Sequence, residues 1–420
     1  MTVENMEGCS TLKFRPVVRL SLVIMLTVLS SGVPCPVRAD EVSAATVPSG
    51  QVPATGPAAD ERKTLRRAEN VVLITMDGLR WQELFAGADE TLMNREAGSV
   101  RDVAALKQAY WRDSAVERRE LLMPFFWTQI APKGVVFGNP EEDSKAVVTN
   151  GLYFSYPGYS EILCGFADPG IDSNDKKNNP NVTVLEWLNR QPLFQDSVAA
   201  FCSWDVFPYI INRDRSGLPV NAGWESLADA VPVTGDSSAE RRAARQRLEQ
   251  LDRFAAQMPH VWHNVRYDYL TFRGMEEYVR LNKPRVLYLS LGETDDWAHE
   301  GRYDLYLDAA RRNDDYIRQL WTLLQSMPQY RNCTTLILTT DHGRGDDRVS
   351  WKSHGRDIGD CEYIWMAVLG PDVNTRTEKP AQVTQSQIAA TVAAAVGQDF
   401  GADHPQAAPP LPVFRMANPE

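Results

Sequence analysis

Short apolar runs rich in β-branched residues recur along the chain, separated by longer stretches in which apolar positions return every three or four residues. Val71–Met76, Ser197–Ser203, Val286–Leu291, Leu336–Thr340 and Tyr363–Leu369 read as buried strands, with smaller candidates at Gly134–Phe137 and Ala146–Thr149. Helical spacing is found in Ala115–Ile130, Val182–Arg190, Ser237–Gln257, Tyr303–Met327 and Gln385–Val396. In Tyr303–Met327 the inward stripe is Leu305, Ala309, Tyr316, Leu320 and Leu323. Strands alternating with helices throughout predict an α/β fold with a doubly wound, mostly parallel sheet. Residues 204–280 are more polar and are expected to form a small insertion over the site.

Three of the strand runs end in the same kind of chemistry. Val71–Met76 gives way to Asp77-Gly78. Val286–Leu291 leads to Gly292-Glu293-Thr294-Asp295-Asp296-Trp297-Ala298-His299. Leu336–Thr340 runs into Asp341-His342-Gly343, with His354 following after a short polar loop. Asp295 and His299 are four apart, which puts both on one face of a helical turn and within reach of one ion. The chain has six histidines, and three of them fall in these segments. In open α/β sheets the ligand crevice lies outside the carboxyl ends of the strands, so these segments are expected to converge. His260 and His263 have no acidic companion and read as surface or structural residues.

Ser155-Tyr156-Pro157 opens a further short helix. Pro157 pre-sets its first turn and Gly165 closes it. Ser155 then sits at the helix N-terminus, where the dipole and free N–H groups favour an anion.

Composition narrows the picture. Of 420 residues, 43% are hydrophobic, enough for a sizeable core. The net charge is −11, and removing residues 1–39, with four basic and two acidic groups, leaves −13. An acidic body argues against nucleic acid as a partner and leaves a small phosphorylated substrate open, since a local metal site overrides the global field. Lys13, Arg15 and Arg19 precede the apolar run Leu20–Val33, and Val37-Arg38-Ala39 precedes Asp40 as a small-residue cleavage site. Residues 1–39 therefore read as a signal peptide, with export to the periplasm or medium and no stable membrane span after cleavage; an uncleaved anchor is the alternative. Residues 40–67, rich in Ala, Pro, Gly and Thr, read as a flexible linker. The catalytic domain is expected over 68–401 and a loose tail over 402–420. Cys164, Cys202, Cys333 and Cys361 remain, with pairing open and buried thiols equally in view.

Taken together, Thr75-Met76-Asp77-Gly78, Ser155-Tyr156-Pro157, Asp295 through His299, Thr340-Asp341-His342-Gly343 and His354 resemble the alkaline phosphatase superfamily, over about residues 68–400. The resemblance implies a two-metal site, usually zinc or manganese. It places Asp295, His299 and His354 on one ion, and Asp77, Asp341 and His342 on the other, which also contacts the nucleophile Ser155. The Ser155 segment is similar to the phosphodiesterase branch, except that Gly158 stands where that branch carries an asparagine that contacts phosphate. Asn150, Arg344 and Lys352 are then the candidates for holding the phosphoryl oxygens. Sulfatases of the superfamily carry an arginine two residues beyond the proline, where this chain has Tyr159.

The chemistry follows from the residues themselves. Phosphoryl transfer needs in-line attack and neutralisation of developing charge, and two ions about 4 Å apart clamp the entering and leaving oxygens. Mixed Asp and His donors suit zinc with positions left open. The expectation is hydrolysis of phosphoric mono- or diesters through a phosphoseryl intermediate. A sulfatase or phosphomutase of the same superfamily is the alternative, and a non-catalytic binding protein with the same fold is a third reading.

Overall fold

The structure is a computed structural model that describes residues 68–415. The expected signal peptide (1–39), the linker to residue 67 and the last five residues of the tail lie outside the described residues. Among those described, no helix is long and apolar enough to cross a membrane.

Seven strands form the main sheet: β1 (Asn70–Met76), β2 (Val135–Phe137), β4 (Val198–Cys202), β5 (Val220–Ala222), β6 (Val286–Leu291), β7 (Thr334–Thr339) and β9 (Met366–Leu369). Their order is β2-β9-β7-β1-β6-β4-β5. The pairs of the centre and of the β5 side are all parallel, and β9 runs against both β7 and β2. A second sheet of three strands, β3 (Lys145–Val147), β8 (Tyr363–Ile364) and β10 (Gln382–Thr384), lies in the order β10-β3-β8. The α/β, mostly parallel architecture is as the sequence pattern predicts.

Both faces of the main sheet are covered, which is why its strands read as continuous apolar runs. Along β1, Val71 and Leu73 belong to one core, while Val72, Ile74 and Met76 belong to the other. The first core includes Tyr156, Tyr159 and Ile162 of the Ser155 helix and Ile388 and Val392 of the 387–395 helix. The second includes Tyr306, Ile317 and Leu320 of the helix Tyr303–Ser326. Full burial of such side chains is worth about 1.5–3 kcal/mol each.

Some sequence expectations need correcting. The helix expected over Ala115–Ile130 stops at Leu122, because Pro124 interrupts the backbone bonding; a wide five-residue turn, Phe126–Ile130, follows. Leu305 is only half-buried, and Tyr306 and Leu307 take the inward positions. Part of the expected loose tail is packed: Leu411 and Val413 are fully buried, and Asn374 N–H donates to the Val413 carbonyl at 2.7 Å. All four described cysteines are free thiols. In the polar region 204–280, the helix Ala239–Ala255 rests on a small core of its own that includes Leu227, Leu248 and Leu270.

Candidate metal centre and active site

Register brings the chemistry together. On β1, Met76 pairs with Leu291 of β6, and Thr75 pairs with Thr339 of β7. The three central strands therefore end level, and Asp77, the Glu293–His299 helix and Thr340-Asp341-His342 leave from the same sheet edge. Gly78 makes the junction possible. Its φ is +57°, and a Cβ there would lie 2.7 Å from Arg344 Nη1 and 2.9 Å from Asp295 Oδ1, so only glycine lets the segments close up.

Two groups of donors result, each with its ligand atoms within 4.8 Å of one another. In the first, His342 Nε2 lies 3.4 Å from Asp77 Oδ1 and 3.4 Å from Asp341 Oδ2. In the second, His299 Nε2 lies 3.3 Å from Asp295 Oδ2 and 3.0 Å from His354 Nε2, which is 3.6 Å from Asp295 Oδ1. The groups adjoin: the His342 and His354 rings stack at 3.8 Å. The fold thus assembles all six Asp and His residues read from the sequence.

The donors fit divalent ions on three counts. Donors about 2.0–2.1 Å from a tetrahedral ion stand about 3.3–3.4 Å apart, close to the spacings here. Asp77 Oδ1 and Asp341 Oδ2 are buried without any hydrogen-bond partner, a costly state for carboxylate oxygens unless a cation meets them. The histidines are also oriented for ligation. His342 Nδ1 faces the Gly343 carbonyl at 2.9 Å and His354 Nδ1 faces the Tyr153 carbonyl at 2.9 Å. A carbonyl only accepts, so each Nδ1 carries the proton and each Nε2 presents a lone pair. Tyr153 is held at φ +56°, rare for a bulky residue, and this turn aims its carbonyl at His354.

The electrostatics match. Burial first, then the Asp295 charge, pushes Asp77 well above the usual carboxylate range. Burial and Asp77 do the same to Asp341. Burial acts against the Asp295 charge, yet Arg344 and His299 hold its carboxyl well below the usual range. Burial, with His342 beside it, keeps His354 well below an ordinary imidazole.

Ser155 begins its helix and is buried, with Oγ 3.4 Å from His342 Nε2. It borders a cavity of about 200 Å³ shared with Asp77, Asp295, His299 and His354. Glu161, one and a half turns on, accepts from Thr149 N, Asn150 N, Asn150 Nδ2 and Ser386 Oγ, which fixes the loop leading to Ser155. A larger cavity of about 610 Å³ beside β5 holds none of these residues, and its Arg213 and Glu225 are paired.

The three phosphate-holding candidates are otherwise engaged. Arg344 is buried, pairs with Asp295 and donates to the carbonyls of Trp351 and Lys352. Asn150 is spent on Glu161 and on Leu152 N–H and Tyr153 N–H. Lys352 runs along Gly301, outside the cavity lining. Gly158 leaves no room for a side chain, since a Cβ would lie 2.4 Å from the Asp341 carbonyl oxygen. The helix N-terminus is also less open than expected. Pro157 has no N–H, and Tyr156 N–H donates to Asn174 Oδ1 at 2.9 Å.

That bond exposes a residue the sequence did not single out. With its oxygen turned to Tyr156, Asn174 presents its NH₂ on the other side, and it lines the cavity beside Ser155. Its Asp- and Asn-rich loop gave no signal in sequence. Tyr159, which donates to Asp77 Oδ2 at 2.8 Å, carried only the signal of a polar-tipped residue one helical turn beyond Ser155.

Residues 155–359 match the family model for type I phosphodiesterase / nucleotide pyrophosphatase, beginning at Ser155 itself. The fold is similar to that of the alkaline phosphatase PafA, solved as a variant with four substitutions: TM-score 0.52 and 10% identity, covering 84% of this chain and 100% of that one. The chain has an alkaline-phosphatase-like fold. It is also similar to the phosphonate monoester hydrolase of Silicibacter pomeroyi (TM-score 0.43, 14% identity, 79% of this chain and 74% of that one). A 2-O GAG sulfatase is comparable (0.45, 11%, 80% and 72%). No curated protein sequence matches the chain. The matched family model is one of hydrolytic enzymes.

Proposed function

We propose that the chain is a two-metal-dependent hydrolase of phosphoric esters that works through a phosphoseryl intermediate on Ser155. The observation that carries this reading is the convergence of orphaned Asp77 Oδ1 and Asp341 Oδ2 on His342 Nε2, with Ser155 Oγ at 3.4 Å from the same nitrogen. Asp77, Asp341 and His342 would hold one ion and Asp295, His299 and His354 the other, with Ser155 facing the first. Bound there, divalent ions of zinc type, or manganese, supply Lewis-acid polarisation of the phosphoryl oxygens and make the serine hydroxyl a competent nucleophile.

The chain's own groups do the rest. Ser155 Oγ attacks phosphorus as its proton passes to solvent, the bond from phosphorus to the ester oxygen breaks, and the departing oxygen takes up a proton from solvent and leaves as the alcohol. Water then cleaves the Ser155–phosphate bond and returns the proton to Oγ. Asn174 NH₂ donates to a non-bridging oxygen, in place of the three candidates that are engaged elsewhere. Arg344 holds the Asp295 carboxylate as an anion aimed at its donor group. The His342 and His354 Nδ1–H bonds fix both rings.

The substrate is a small phosphorylated molecule rather than nucleic acid, in keeping with the acidic chain and a cavity of about 200 Å³. Export through residues 1–39 belongs to the same reading. The test is a panel of p-nitrophenyl phosphate, bis-p-nitrophenyl phosphate and p-nitrophenyl sulfate, with and without chelator. Chelator-sensitive turnover of a phosphoester in preference to the sulfate supports the proposal; turnover of the sulfate alone overturns it.

A further inference from the structure

The cavity of about 610 Å³ beside β5 lies apart from the donor groups. Its buried floor is Phe201 of β4, Val220 of β5 and Tyr278 of the helix Asp268–Asn282, and the exposed Pro219 and Pro232 stand at its rim. Tyr278 is about 15 Å along that helix from Asp268, whose carboxylate accepts from Gly292 N–H where the helix bearing Asp295 and His299 begins. Most polar groups of the lining are engaged within the fold. Arg213 pairs with Glu225 at 2.7 Å, Asp229 meets Arg245 at 3.8 Å, and Asn221 donates to the Ser226 carbonyl and accepts from Arg266. Two are not fully engaged. Arg241 is half-buried, has no carboxylate partner among the described residues, and gives Nη2–H to Asn282 Oδ1 at 2.7 Å while its other N–H groups stay unspent. Tyr278 is 7% exposed and packs on Phe201 at 5.2 Å, and its hydroxyl has no hydrogen-bond partner among the described residues. Burial pushes that hydroxyl above an ordinary phenol, and the nearby Arg241 charge opposes the shift.

We propose that this cavity is a second ligand site, separate from the hydrolytic one, and that it takes a small aromatic monocarboxylate. The ring lies on the Phe201 and Tyr278 floor, and the carboxylate meets Arg241, with the Tyr278 hydroxyl as a further donor. A planar guanidinium fork matches a carboxylate with two parallel bonds, and an anion there supplies the counter-charge that Arg241 lacks in the fold. An apolar floor with a few convergent polar groups is the make-up of small-molecule sites, and the volume falls within their range of roughly 300–1,000 Å³. Aromatic rings on the floor favour an aromatic body, which packs on them by offset or edge contact. Glu225 and Asp229 on the same lining oppose a second negative charge, so a monoanion fits and a phosphate dianion does not. The inference is independent of the phosphoester reading.

The experiment titrates the zinc-loaded full chain with 2-naphthoate and with its neutral counterpart 2-naphthamide, read by fluorescence. The expected result is a Kd for the acid about tenfold or more below that of the amide, the worth of hydrogen bonds to a charged group. Arg241→Gln should bring that ratio toward one. Tyr278→Phe, which keeps the ring on Phe201, should weaken the acid several-fold. The same titrations after chelation should give the same ratio, because the cavity holds none of the six donors. An acid bound no better than the amide overturns the proposal, as does a preference that survives Arg241→Gln. An acid whose binding is lost with chelator also overturns it, since the carboxylate would then sit at the donor groups. Binding is read without turnover, so failure of hydrolysis and failure of this site are told apart.

Discussion

Replacing Asp341 by Asn separates a metal ligand from a structural carboxylate, because its effect should change sign with metal. Asp341 Oδ1 accepts from Gly78 N–H at 3.1 Å, a bond that Asn keeps, while Oδ2 is the orphaned atom that Asn turns into a neutral amide. Without ions, the wild-type chain carries a buried carboxylate beside Asp77. Relieving one unsatisfied buried group is worth about 1–3 kcal/mol. At roughly 2–4 °C per kcal/mol for domains of about 150–250 residues, and less for a longer chain, chelated Asp341→Asn should melt a few degrees above chelated wild type. With ions the order reverses: wild type gains about 4 kcal/mol at a metal concentration 1,000 times Kd, and the variant gains much less. The pH dependence has a definite sign. Burial and neighbouring charge raise Asp77 and Asp341 well above their ordinary values, so the folded metal-free chain binds protons that the unfolded chain has released. Its stability therefore falls as pH rises from the ordinary carboxylate value through the raised folded ones. Scanning calorimetry of both proteins, chelated and metal-loaded, reads all of this. An Asp341→Asn chain that is less stable by the same amount in both states would refute the reasoning.

Other outcomes follow from the same geometry. Ser155→Ala should retain both ions and lose phosphoester turnover by roughly 10⁴–10⁶-fold; acid quench with a labelled phosphoester should place the label on Ser155 in wild type, and label on Ser160 would move the chemistry there. His354→Ala should keep the fold and weaken metal binding at the Asp295 group by more than the roughly 10–100-fold that loss of a supporting partner costs, and an unchanged titration with metal would remove His354 from the ligand set. Gly158→Ala puts a methyl 2.4 Å from the Asp341 carbonyl oxygen; it should cost about 1–3 kcal/mol or more by denaturant unfolding and also depress turnover, and a variant of unchanged stability would mean that the helix and strand end are less tightly seated than described.

The sheet and six donors were legible because two rules act locally and point the same way. Strands buried on both faces must be apolar throughout, as Val71–Met76 and Val286–Leu291 are, and polar donors such as Asp77 and His342 stand out where such a run stops. The i,i+4 spacing of Asp295 and His299 needed only helix geometry. What could not be read depends on partners distant in sequence. Arg344 looks like a phosphate-binding arginine until Asp295 and the Trp351 carbonyl are found around it. Asn174 gains its role from one bond to Tyr156 N–H across a loop. Leu411 and Val413 lie in a Pro-rich stretch whose composition suggests looseness, yet the chain returns them to the core. Glu161 was overlooked although it carried a signal, a charge beside Ile162 and Leu163 in a helix otherwise built for burial.

The central claim is that this sheet edge holds two catalytic ions, and metal stoichiometry on the freshly isolated, active protein tests it most directly. Elemental analysis should find about two divalent ions per chain, with turnover lost on chelation and restored in step with re-addition of zinc or manganese. Full activity in folded protein that contains no metal would contradict the account.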